Sequence, residues 1–186
     1  MIYFSTDYVF NGNGTSPWAP NDIINPLNWY GFTKSQGELK LQSSIDKYFI
    51  IRISWVFGQN GKNFVKTMQK LSEKYNSLTI VNDQIGRPTY TVDLAKLVCD
   101  MMITDKYGIY HASNSGEYIS WYDFATEIFK QINKSIELKP VSSEEYQALA
   151  VRPKNSRLDI SKLEQNGFEL LPDWKDALRR YLNECN

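Results

Sequence analysis

The chain has 186 residues, with 21 basic against 21 acidic side chains and 42% hydrophobic residues. Balanced charge leaves no electrostatic footprint of a nucleic-acid or membrane-surface binder, and no apolar run approaches the roughly 18 residues a membrane helix needs. Two distant cysteines, Cys99 and Cys185, without a Cys-x-x-Cys spacing, fit a reducing cytoplasm better than a disulfide scaffold, so a cytoplasmic location is expected.

Met1 to Phe10 reads as a strand. Its start, Met1-Ile2-Tyr3-Phe4, is apolar on both faces in the manner of a central parallel strand, so neighbours are expected on each side. Residues 11 to 26 form a loop by composition, with Gly12, Gly14, Pro17, Pro20 and Pro26. Asn28 is placed to cap a helix running to about Ser44, and Tyr48 to Ile53 is a second buried strand. Strand, helix and strand at this length make a parallel crossover unit. Lys62 to Tyr75 is helical by its apolar face at Phe64, Val65, Met68 and Leu71.

Further on, Leu78 to Asn82 is a short strand, Thr91 to about Ile103 a helix, Gly108 to Ala112 a strand, and Ser120 to Ile132 a helix with Ser120 as its cap. The stretch from Glu137 to Asn155 is mixed and yields no element. Ser161 to Asn166, closed by Gly167, and Asp173 to Asn183 are the last helices. The fold class is α/β, a partial parallel sheet with a smaller α/β unit.

Tyr30 and Lys34 stand four positions apart on the first helix, hence on one face. An ammonium beside a phenol favours the phenolate and draws it down from its reference value of about 10, which suits a general acid. The spacing alone proves little, since with 12 tyrosines in 186 residues about one Tyr-x-x-x-Lys arises by chance. Context strengthens it: a helix cap precedes the pair, and the strand ending Ser5-Thr6-Asp7 comes shortly before.

Dinucleotide-binding folds lay the pyrophosphate on a Gly-rich turn that opens a helix. The nearest candidate here, Gly12-Asn13-Gly14-Thr15-Ser16-Pro17, has proline where the third glycine belongs and opens a Pro-rich loop. It is not a phosphate cradle. His111, the single histidine, lies in a strand without a Cys or carboxylate cluster and reads as core or edge; no metal is expected.

Ser5-Thr6-Asp7-Tyr8-Val9-Phe10 followed by Tyr30-Gly31-Phe32-Thr33-Lys34 resembles the extended short-chain dehydrogenase/reductase family, and within it the reductases of dTDP-4-dehydrorhamnose. The resemblance continues through Arg52-Ile53-Ser54-Trp55-Val56-Phe57-Gly58, Asn63-Phe64-Val65, Asp83-Gln84-Ile85-Gly86-Arg87-Pro88-Thr89 and Arg152-Pro153-Lys154-Asn155-Ser156-Arg157-Leu158-Asp159. It implies a Rossmann-like fold. It also implies that the family's Gly-rich turn belongs upstream of Ser5, so that this is a C-terminal portion. Residues 1–76 would complete a nucleotide-binding domain, and 77–186 would be mainly substrate-binding, with segments returning to the first.

The activity implied is NAD(P)H-dependent reduction of the C4 ketone of a dTDP-4-keto-6-deoxysugar. Thr6, Tyr30 and Lys34 would be catalytic: Thr6 binds the carbonyl oxygen, Tyr30 gives it a proton, and Lys34 tunes the phenol. Tyr30, Lys34 and Ser5 would meet the NADPH or NADH. Thr6, Trp55, Asn63, Gln84 and Arg87 would face the nucleotide-sugar substrate, Arg87 at its pyrophosphate. Asp7 and Tyr8 read as structural support. By residue type alone, Trp55 serves equally as core, and Arg87 as a solvated surface charge. The family also contains epimerases, dehydratases and a non-catalytic regulatory subunit of methionine adenosyltransferase. A dehydratase usually has an acidic pair after the threonine, where this chain has Asp7-Tyr8. The apolar first strand would form an exposed sheet edge, so self-association or pairing with an N-terminal half is expected.

Overall fold

A computed structural model describes residues 1–146 and 150–184, so Cys185 lies outside the described residues. In chain order the elements are β1 (Ile2–Thr6), a 3-10 turn (Asp7–Val9), α1 (Trp29–Ser44), β2 (Phe49–Ile53), β3 (Val56–Phe57), α2 (Phe64–Ser72), β4 (Ser77–Val81), β5 (Ile85–Gly86) and β6 (Thr89–Tyr90). There follow α3 (Thr91–Met102), β7 (Gly108–Ala112), β8 (Asn114–Ser115), β9 (Ile119–Ser120), α4 (Trp121–Gln131), β10 (Glu137–Val141), α5 (Ser143–Tyr146), α6 (Ser161–Gln165), β11 (Leu171–Asp173) and α7 (Trp174–Glu184).

The main sheet is parallel, in the order β1-β2-β7, with Ile2 opposite Phe49 and Phe49 opposite Gly108. Strand β7 thus brings residues 108–112 back onto the sheet begun by the first 53 residues. Among the described residues β1 has a neighbour on one side only, where the apolar run predicted two, and Phe4 is 42% exposed. The strand is also shorter than expected. The Thr6 hydroxyl accepts the Tyr8 backbone N–H, and this side-chain bond turns the chain out of the ladder into the 3-10 turn.

Helix α1 starts where Asn28 accepts the Gly31 N–H at 2.9 Å. Its inner face is Gly31, Ser35, Glu38 and Leu41, so it has almost no apolar stripe. Two other devices seat it. Gly31 lies against the turn, where an added Cβ would stand 2.1 Å from the Tyr8 carbonyl oxygen. Glu38 forms a buried ion pair with Arg52 of β2. The longer of the remaining helices follow their hydrophobic periodicity. Helices α2, α4 and α7 enclose Met68, Phe124, Trp174 and Tyr181 in one core, while α3 and α6 cover Phe49, Ile51 and Tyr110 on the sheet.

Strand β10, unassigned from the sequence, pairs in parallel with β4. Lys139 and Pro140 within it are weak strand formers and carry no period-two signal. The loop after the first turn is laced to the segment around Asn155, whose side-chain amide donates to the carbonyls of Asn13 and Ser16. Trp18 pairs with Leu158 in a short parallel bridge.

Candidate active site

The carboxyl ends of β1 and β2, the 3-10 turn and the first turn of α1 surround a cavity of about 360 Å³. Ser5, Thr6, Tyr30, Lys34 and Trp55 all line it, together with Asp7, Tyr8, Phe64 and Trp121. This is the crevice at the carboxyl ends of parallel strands where open α/β sheets bind ligands. Five of the eight residues singled out from the sequence therefore meet in one place.

Tyr30 is half exposed at the rim, its ring packed edge-on against Tyr8 with centroids 5.7 Å apart. Lys34 donates from Nζ to the Phe4 carbonyl at 2.8 Å and lies 4.8 Å from the Tyr3 ring centroid. The β1 backbone therefore holds the ammonium in place. Thr6 is buried, and its hydroxyl donates to Asp7 Oδ1 at 3.1 Å. Ser5 is buried too, and its Oγ has no hydrogen-bond partner. Burial pushes the Asp7 carboxyl up to about 6, while the hydroxyls of Ser156 and Thr6 act in the opposite direction. Burial and the Asp7 charge raise the Tyr8 phenol to about 12, with the Arg152 guanidinium pulling it down.

Trp55 forms the opposite wall in an unusual way. Its φ of 49° places a bulky side chain in the left-handed region. Its indole stacks on Trp121 at 3.7 Å and 13°, above Gly86, where a Cβ would come within 2.8 Å of the ring. Trp121 donates from Nε1 to Gln84 Oε1 at 3.2 Å, and Gln84 donates to the Ser143 hydroxyl. Gln84 lines not this cavity but a second one of about 430 Å³ between α2 and β4, with Met68, Leu78 and the exposed Arg152. Phe64 and Trp121 line both, so the two chambers share a wall.

Arg87 and Asn63 stand outside both chambers. Arg87 is 7% exposed, donating to the Ser113 hydroxyl and to the Gly116 and Leu158 carbonyls, with its guanidinium carbon over the Tyr118 ring. It is thus a buried part of the fold and not a solvated surface charge, and it lines neither chamber. Asn63 caps α2, accepting the Lys66 N–H and donating to the Gly58 carbonyl, away from both chambers. An Asn before an apolar helical run is a cap signal. Sequence reasoning missed Trp121 and Phe64. Both sit in the first turn of a helix with apolar periodicity, so they looked like core.

His111 is buried beside Arg52, with Nε2 3.4 Å from Nη1; burial foremost, then the guanidinium, hold it down to about 3. Among the described residues no group of His, Cys, Asp and Glu is placed to hold a metal ion, and no helix is long and apolar enough to cross a membrane.

The family model described as "RmlD substrate binding domain" matches residues 1–186. The chain belongs to that family. A spore coat polysaccharide biosynthesis protein of Bacillus subtilis is 44% identical over 183 residues, covering 98% of the chain and 64% of the relative. The dTDP-4-dehydrorhamnose reductase of Escherichia coli K12 is 40% identical over 195 residues, covering 99% of the chain and 65% of the relative. A crystal structure of dTDP-4-dehydrorhamnose reductase from Bacillus anthracis in complex with NADP superposes with a TM-score of 0.95 at 42% identity, covering 98% of the chain and 65% of that structure. The chain thus spans about 65% of the length of these relatives and has the Rossmann-like α/β fold of their family.

Proposed function

We propose that this chain supplies the proton-donating, substrate-facing part of an NAD(P)H-dependent reductase that converts the C4 ketone of a dTDP-4-keto-6-deoxysugar to an alcohol. The observation that carries this reading is the convergence of Thr6, Tyr30 and Lys34 on one cavity walled by Trp55. Relatives about 40% identical over nearly the whole chain, bearing the name dTDP-4-dehydrorhamnose reductase, support it. They do not favour a regulatory subunit.

The residues fit the nicotinamide-ribose end of a dinucleotide. Ser5 Oγ is a buried polar atom without a protein partner, at the edge of a cavity that also presents Lys34 and Tyr30. They do not fit its pyrophosphate. Gly12 has its open side filled by Pro153, whose Cβ lies 2.5 Å from where a Gly12 Cβ would be, and Gly14, though open, leads into a Pro-containing loop and not into a helix. On this reading the pyrophosphate is held by residues other than these.

When bound, the dihydronicotinamide supplies the hydride. The chain's own groups handle the oxygen. Tyr30, at the rim, holds the proton that passes to the substrate oxygen as negative charge develops there. Lys34, fixed by the Phe4 carbonyl, keeps a cation on that face. Thr6 presents its hydroxyl from the strand end, and donors aimed at a developing oxyanion are the strongest electrostatic lever available. Trp55 and Trp121 offer a flat apolar wall to the sugar or base. Residues 1–76 with β7 form the nucleotide side and most of 77–186 the substrate side, in a cytoplasmic enzyme.

The test uses the polypeptide carrying this chain together with a Gly-rich dinucleotide-binding unit. NADPH oxidation with dTDP-4-dehydrorhamnose is expected, and Tyr30→Phe should lower kcat by about 10²–10⁴-fold. No turnover in the complete protein, or an unimpaired Tyr30→Phe, would refute the proposal.

A further inference from the structure

Thr6 and Asp7 are adjacent in sequence and joined by a hydrogen bond, and that bond restricts what Thr6 has left to offer. The Thr6 hydroxyl stands 3.1 Å from Asp7 Oδ1 and accepts the Tyr8 N–H at 3.2 Å. A hydroxyl has one proton and two lone pairs. The Tyr8 amide occupies one lone pair, so the protonation state of Asp7 decides the rest. An ionised carboxylate only accepts: it takes the Thr6 proton, and Thr6 turns a lone pair to the cavity. A protonated carboxyl in the same place donates to Thr6 Oγ1, and the Thr6 proton is freed for the cavity. A ketone oxygen, itself an acceptor, is repelled by the first arrangement and bound by the second.

Asp7 is built as the neutral partner. It is 2% exposed, Oδ2 has no hydrogen-bond partner of normal length, and the nearby Ser156 hydroxyl offsets the effect of burial only in part. An orphaned oxygen is costly on a buried charge and much less so on a neutral acid. Its carboxyl is pushed up by burial, and no charged side chain is among the groups that shift it. The ionisable groups around the turn are the phenols of Tyr8 and Tyr30, the Lys34 ammonium, which lines the same cavity but is not among the groups that shift Asp7, and the Arg152 guanidinium, which acts on Tyr8. None of the ion pairs among the described residues includes Asp7.

We propose that Asp7 is a positioning residue that sets the polarity of Thr6: in its acid form it donates to Thr6 Oγ1, and Thr6 then donates to the carbonyl oxygen of the ketone. This rests on the ketone-reducing reading above and deepens it. The overall chemistry is unchanged. Hydride forms the new C–H bond at C4, the C=O π pair moves to oxygen, and that oxygen takes the Tyr30 proton. Asp7 and Thr6 keep theirs, acting as an oriented donor pair.

Two measurements decide it. On this chain, free of any assay of turnover, carbon NMR of carboxyl-labelled aspartate should show a resonance titrating near pH 6 that disappears in Asp7→Asn. Thr6→Val removes a donor to the carboxylate and should move that midpoint upward, and Thr6→Ser should restore it. A midpoint near 4, or one indifferent to Thr6→Val, would overturn the coupling. In the complete reductase, kcat/KM should fall tenfold per pH unit above the Asp7 midpoint. Asp7→Asn, whose amide donates at every pH, should stay within tenfold of the parent and flatten that limb, while Asp7→Ala loses more than tenfold. Equal losses in both variants would sink the proposal. A parent enzyme without turnover would instead sink the ketone-reducing reading, leaving the NMR titration to judge the Asp7–Thr6 coupling separately.

Discussion

Glu38 of α1 and Arg52 of β2 meet in the interior through two parallel bonds, Nε to Oε1 at 2.9 Å and Nη2 to Oε2 at 2.7 Å, with both side chains at most 1% exposed. The guanidinium is shared further with the Pro20 carbonyl. Glu38 lies one turn beyond Lys34, so the pair pins the helix that carries Tyr30. Glu38→Gln leaves a buried guanidinium uncompensated and should destabilise the fold by about 3–5 kcal/mol, read from the urea midpoint. The double replacement Glu38→Leu with Arg52→Met should cost clearly less than the sum of the single changes.

Asp7 and His111 tilt stability in opposite directions with pH. The Asp7 carboxyl is raised in the folded chain to about 6 from 3.8, so its contribution is full below pH 3.8 and is lost as pH rises through 6. His111 is depressed to about 3 from 6.5, so its contribution is present above 6.5 and is lost as pH falls toward 3. Asp7→Asn should therefore be more stable than the parent at pH 7.5, by roughly 1–3 kcal/mol, and nearly equal to it at pH 4. His111→Gln should lessen the acid sensitivity between pH 6 and 4. Chemical denaturation across that range checks both signs.

Gly31 is irreplaceable for a spatial reason. A methyl group there would stand 2.1 Å from the Tyr8 carbonyl oxygen and 2.9 Å from Pro26 Cβ. Alanine's better helix propensity, about 1 kcal/mol, is outweighed by the shift of α1 it forces, about 1–3 kcal/mol or more. Gly31→Ala should lower the melting temperature and, in the complete reductase, lower kcat more than it raises KM, because Tyr30 is the next residue. A variant as stable as the parent would show that α1 and the turn yield easily.

Among the described residues β1 is an edge of the sheet, with Phe4 42% and Met1 70% exposed. An unpaired apolar edge invites another strand. This chain should self-associate at high concentration in sedimentation velocity, and Phe4→Lys should shift it toward monomer. A parent that stays monomeric would remove the edge as a cause.

Where a residue's neighbours in sequence decide its place, the sequence was readable. Asn28, Ser120 and Gly167 mark helix ends by local chemistry alone, and the parallel unit from β1 to β2 follows from length and apolar runs. Tyr30 and Lys34 share a helix face by arithmetic. Their meeting with Trp55 depends on a left-handed backbone at that residue, which nothing in a tryptophan advertises. The burial of Arg87 was not legible because a guanidinium's type does not tell whether carbonyls 29 and 71 positions away, at Gly116 and Leu158, will surround it. Strand β10 was invisible because its pairing with β4, not its own composition, makes it a strand.

The lacing of Asn155 to Asn13 and Ser16 joins residues 142 and 139 positions apart. Such distant closures are entropically late events for a growing polypeptide. A ribosome delivers Thr6 and Tyr30 well before Asn155, so the staple that steadies the loop between them is translated long after the groups it flanks. Stalled or prematurely terminated synthesis would therefore yield fragments bearing every reactive group but an unsecured loop between them.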